Sequence, residues 1–171
     1  MGINKQENTA EFTRVNSLAC ELASLGYPGL AYLKKERESQ NPAETLIKAL
    51  SVADLDSRLV EALPWVLLNY AELDWEWLML AAKARQSQNR LGFITNVARR
   101  LAEARGEFDK AALFACRETE LERSRLERED TLCHDSLTEA EKRWLRERRP
   151  DDAKRWRLLT DLSPEHLAYA A

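Results

Sequence analysis

Glycine and proline are scarce in this chain, five of each in 171 residues. Strand-rich folds turn on these residues every few positions, so their scarcity favours helices. Cysteine is scarce as well. Cys20, Cys116 and Cys133 are odd in number and far apart, which argues against a disulfide framework and fits reduced thiols in a cytoplasm. No stretch approaches the roughly 20 uninterrupted apolar residues that span a bilayer, so no membrane span is expected. The opening MGINKQENTAEF lacks an apolar run and predicts no signal peptide, and Gln6 stands where a myristoylation signal has Ser or Thr. Neither GxxxxGKS/T nor GxGxxG occurs, which removes two common phosphate-binding loops.

Hydrophobic residues make up 44% and charged residues 32%, a balance that suits one globular unit of ordinary domain size. The net charge of −3 is unevenly spread: residues 107–141 are rich in acids and residues 142–171 in bases.

Helix signals recur along the whole chain. Asn8 or Thr9 with Glu11 predicts a first helix whose stripe is Phe12, Val15, Leu18, Leu22 and Leu25, closed by Gly26. Pro28 suits the first turn of a short second helix before the charged run KKERE. Asn41, Pro42 and Glu44 start the helix TLIKAL, and another start lies between Asp54 and Ser57. RLVEALPWVLLNY and DWEWLMLAAKA are apolar on most faces and are expected to form the central hairpin, kinked or broken at Pro64. In the next helix Leu91, Ile94, Ala98 and Leu101 share a face. Gly92 inside it predicts close packing against a neighbour, and Gly106 ends it.

From Glu107 to Asp130 a helix is expected to leave the body at Phe108, Ala111, Ala112 and Phe114 and end in water. Pairs such as Glu122–Arg125 and Arg123–Glu127 would support it. Ser136 and Glu139 form a capping box for LTEAEKRWLRERR, DDAKRWRLLTDL reads as a further helix, and Ser163–Pro164 opens a last turn. The expected fold is therefore all-α, a single compact domain of about eight to ten helices around a central apolar pair. Residues 1–130 form the core, and residues 131–171 a charged helical extension packed on it.

The chemistry-bearing residues are sparse. Cys133–His134 with Cys116 and His166 lacks the paired spacings of structural zinc, so no metal is expected, and a buried thiol beside a surface histidine is the simpler reading. No oxyanion loop or strained turn accompanies a Cys–His pair, so no catalytic residue, cofactor or enzymatic activity is expected. Acid pairs such as Asp54/Asp56 and Asp151/Asp152 sit where helix starts favour negative charge.

Lys142, Arg143, Arg146, Arg148, Arg149, Lys154, Arg155 and Arg157 are interleaved with Trp144 and Trp156, a pattern that attracts phosphate and stacks bases. The same tryptophans also fall on core-facing stripes, and the acids upstream can neutralise the run within the fold. Both readings stand. Trp65, one turn from Glu61 and Asn69, is either an interface anchor or covered by the amino-terminal helices. Trp75 and Trp77 point to nearly opposite faces, so one belongs to the core and the other meets a second layer or a partner.

The matching segments Thr45 to Leu50, Leu73 to Ala81 and Asn89 to Ile94 carry a family resemblance. Residues 45–103 resemble the helical carboxy-terminal part of bacterial antitoxins of the abortive-infection E kind (type IV toxin–antitoxin systems). Residues 1–50 carry no strand pair for the winged-helix module with which that family opens. The resemblance implies neutralisation or repression linked to a nucleotidyltransferase-type toxin. Together these readings predict a cytoplasmic, non-enzymatic helical protein whose partner is a toxin or a second copy of itself. The alternative is a nucleic-acid-binding regulator that uses the basic run.

Overall fold

The computed structural model describes residues 3–33 and 40–170, the side chains of residues 3–9 and 11 not being among them. Among the described residues eight α-helices follow in order: α1 (Ile3–Ser24), α2 (Pro42–Leu50), α3 (Ser57–Asn69), α4 (Trp75–Ala84), α5 (Gln88–Ala104), α6 (Phe108–Glu122), α7 (Glu139–Arg148) and α8 (Asp151–Arg155). Short 3-10 turns span Pro28–Leu33 and Pro164–His166, and β1 (Asp130–Thr131) pairs in parallel with β2 (Leu158–Leu159). The fold is mostly helical, as the composition predicts.

Most helix ends follow local chemistry. Asn41 caps α2 by accepting from the Ala43 amide at 3.0 Å, with Pro42 at the first position where no amide is needed. Asp56 caps α3 through the Arg58 amide, and Asp74 caps α4 through the Trp77 amide. Gly26 and Gly106 end α1 and α5 at φ of +98° and +72°, the left-handed region that a Cβ resists. Helix α1 begins at Ile3, upstream of the expected start. The cap side chains Asn8, Thr9 and Glu11 and the run KKERE lie outside the described residues.

The centre of the packing is α5. Every residue from Gln88 to Ala98 is buried, polar ones included, and α3, α4, α6 and α8 all pack on this helix. The two greasy helices expected to pair with each other instead dock separately on α2 and α5. Helix α3 runs through Pro64 without a break. The proline removes one amide from the ladder, and the Tyr169 hydroxyl donates to the neighbouring Glu61 carbonyl.

Gly92 explains how α5 meets the carboxy-terminal part. A Cβ placed on it would stand 2.2 Å from a ring carbon of Trp156, which is fully buried. The indole therefore lies directly on the α5 backbone, the close approach that an internal glycine predicts.

Several expectations are corrected by this packing. Helix α6 stops at Glu122, and its charged end does not enter water: Glu118 and Leu121 are buried, and Glu122 pairs across to Arg155 at 2.6 Å. Phe108 and Phe12 are exposed rather than core. The capping box of α7 is Thr138 with Glu141, two residues later than expected, because Ser136 is taken by Asp54 through both its amide and its hydroxyl. Helix α8 ends at Arg155. Trp156 turns into the core, Arg157 adopts φ of +55°, and Leu158 and Leu159 become β2.

Leu132, Cys133, Ala153, Trp156, Leu158 and Leu167 belong to the same continuous hydrophobic cluster as the first 130 residues.

Candidate functional site

The three tryptophans singled out in the apolar helices have three fates. Trp75 is core: it is 4% exposed, its indole N–H donates to the Ala71 carbonyl at 2.8 Å, and its ring meets Phe114 edge-on at 6.2 Å. Trp65 is half-buried, packed edge-on against Tyr27 at 5.5 Å and lying over Gly26. The turn after α1 lies against one side of it, and part of the ring stays accessible. Trp77 is 39% exposed on the outer side of α4.

Trp77 has company. Leu80, three residues on, is 62% exposed, and Ala84, four further, is exposed too. Spacings of three and four align these side chains into one apolar stripe on the face away from Trp75, Leu78 and Ala82, which are buried. Among the large exposed hydrophobics of the described residues, only Trp77 and Leu80 share a helix face one turn apart. Sequence reading found Trp77 and missed Leu80. The signal was there, because a helix apolar on most faces has room for a second apolar stripe beside the core one.

The stripe is bordered by charge of opposite sign at its two ends. Asp74 and Glu76 lie at the amino-terminal end, and Lys83 and Arg85 at the carboxy-terminal end; all four are exposed. Among the described residues none of them forms an ion pair within the chain.

The basic run is organised differently. Six of its eight residues meet an acid: Lys142 with Glu139, Arg146 and Arg149 with Glu129, Lys154 with Asp151, Arg155 with Glu118 and Glu122, and Arg157 with Glu127. Arg148 lies over the Trp144 ring at 5.2 Å. Trp144 is 47% exposed, which corrects its expected place on a core-facing stripe. Helix α7 is held instead by Leu145, which joins Leu137 and Leu159 in a small satellite cluster. Arg143 is exposed. Trp156 is core, as its stripe predicts.

Several ionisable groups converge in a cleft of about 600 Å³, lined by Arg85, Arg90, Arg128, Glu129, Asp130 and Asp135 among others. Arg90 is its hub and is almost entirely buried. Its guanidinium donates to both oxygens of Asp130 at 3.0 and 3.1 Å, to Asp135 at 3.1 Å and to the Leu50 and Val52 carbonyls. Burial alone would lower its pKa, but hydrogen bonding to Asp130 and the surrounding negative charge hold it above the usual value. The hub therefore joins the end of α2, the start of α5 and the 130–135 loop as a latch with fixed partners.

Neighbouring Cys133 is fully buried, and burial pushes its thiol up to about 12, outweighing the Arg90 charge. Such a thiol is not a nucleophile. His134 is exposed, so the pair reads as a buried thiol beside a surface histidine. Among the described residues no group of three or more His, Cys, Asp or Glu is placed to hold a metal ion, and no helix is long and apolar enough to cross a membrane. Set beside protein-family models, curated proteins and solved structures, the chain matches none of them.

Proposed function

We propose that this protein acts by binding another protein, through the outer face of α4, and performs no chemistry of its own. The observation that carries the reading is the pair Trp77 and Leu80, held one turn apart in water on a helix whose opposite side is fully packed. A tryptophan and a leucine exposed together bring large apolar area to an interface with little conformational entropy left to lose. The rigid core behind them supplies preorganisation.

The ledger of the basic run favours this reading over a nucleic-acid one, since six of the eight cations already have acid partners and counterion release needs free ones. The antitoxin resemblance of residues 45–103 would make the partner a toxin, and that stretch contains α4.

The test is affinity capture from the native host with the wild-type chain and with Leu80→Asp, a substitution at an exposed site that leaves the core untouched. The expected outcome is that the variant keeps its helicity and melting temperature while its co-eluting partner disappears. An identical set of captured proteins from both would remove α4 from the argument.

A further inference from the structure

The charges around the α4 stripe name the occupant more narrowly. Resting on the binding reading above, we propose that α4 is a self-association surface on which a second copy of this chain docks, its own α4 running antiparallel. Glu76 and Lys83 lie seven residues apart, two helical turns, and so border the same flank of the Trp77–Leu80–Ala84 stripe. In a two-fold antiparallel pair each flank meets its own copy. Glu76 then lies over the partner's Lys83 and Lys83 over the partner's Glu76, while Trp77 lies against the partner's Leu80. The helix ends add to this, with Asp74 at the acidic end and Arg85 at the basic end brought side by side.

A parallel two-fold pair would instead set this flank against the partner's opposite flank, and Glu76 would not meet Lys83. Glu118, Glu120 and Glu122 of α6 and Glu127 and Glu129 beyond it are paired within the chain, whereas among the described residues these four charges of α4 are exposed without an internal ion pair.

A helix of ten residues is about 15 Å long, so the buried area falls below the roughly 800 Å² per partner of a standard interface. The association is therefore weak and reversible, populated at about 100 μM and above.

Sedimentation equilibrium on the full chain, from about 10 μM to about 1 mM, tests this with Glu76→Lys, Lys83→Glu, the double swap and Trp77→Ser. Symmetry places each substitution in the interface twice. The wild type is expected to show a monomer–dimer equilibrium. Either single swap weakens it about tenfold, Trp77→Ser abolishes it, and the double swap restores it. Circular dichroism checks that each variant stays helical.

A wild type that is monomeric throughout, single swaps without effect, or a double swap that fails to restore the dimer would each overturn the proposal. A monomeric chain whose Leu80→Asp variant still loses a foreign partner would sink self-association and leave the binding reading standing. Loss of neither self-association nor capture in that variant would sink both.

Discussion

Gly92 and Trp156 bring distant parts of the chain together, and their fit leaves no room for a Cβ. A methyl group on Gly92 would fall 2.2 to 2.5 Å from three carbons of a rigid ring that has no exposed direction in which to move. Among the described residues the buried indole N–H of Trp156 finds no acceptor, so packing and shape hold the residue there. Gly92→Ala is therefore expected to destabilise by about 3 kcal/mol, the upper part of the range for overpacked cores. Trp156→Phe in the Gly92→Ala background should recover part of that loss, because the smaller ring vacates the clashing edge. Urea unfolding of the two single variants and the double variant measures the coupling. Strictly additive effects would mean that the two positions do not share the strain.

At the scale of elements, the charged end of α6 is a brace. Glu122 is held below the usual carboxylate range, chiefly by the hydrogen bond from Arg155, with the Arg155 and Arg125 charges adding to it. A lowered folded-state pKa contributes stability above the unfolded value of about 4.3, and that contribution is lost as pH falls through the lower folded value. The gap in melting temperature between the wild type and Glu122→Gln should be open at pH 6 and close as the pH drops below about 4. An equal gap at pH 6 and pH 3 would show that the carboxylate charge contributes nothing.

This brace was only half legible in the sequence. The chain shows many acids followed by many bases, but local spacing suggested pairs such as Glu122–Arg125 within one helix, whereas the partner of Glu122 is thirty-three residues away. Caps, glycine stops and the burial of Trp75 or Trp77 follow from neighbours in sequence and could be read there. The identity of α5 as the central helix could not, because Asn89, Arg90 and Asn96 make it look amphipathic until their partners are seen. Asn89 clamps Leu126 through its amide and carbonyl, Arg90 holds Asp130, and Asn96 donates to Glu118. The same limit applied to the candidate site, where a second apolar stripe on α4 was visible in the residues but its exposure depended on which helices failed to cover it.

For the molecule as a whole, the division at residue 130 decides whether the carboxy-terminal part is an accessory or a wall of the core. The contacts that cross it are of three kinds. Trp156, Leu158 and Leu167 fill the main cluster; β2 pairs with β1; and Arg155 and Asp135 complete the networks around Glu118 and Arg90. Removing residues 131–171 would open the groove over Gly92 to water. It would also leave Glu118, almost fully buried, with one cation fewer, and Arg90 without Asp135. Loss of a single buried tryptophan already costs about 3–5 kcal/mol, and a domain's whole stability is about 5–15 kcal/mol. A 1–130 fragment is therefore expected to lack a cooperative thermal transition while keeping part of its helical signal. The full chain should unfold in one step followed identically by circular dichroism and by tryptophan fluorescence. A fragment that melts cooperatively near the temperature of the intact chain would mean that the first 130 residues are a domain in their own right, and that the surface presented by α4 does not depend on the rest.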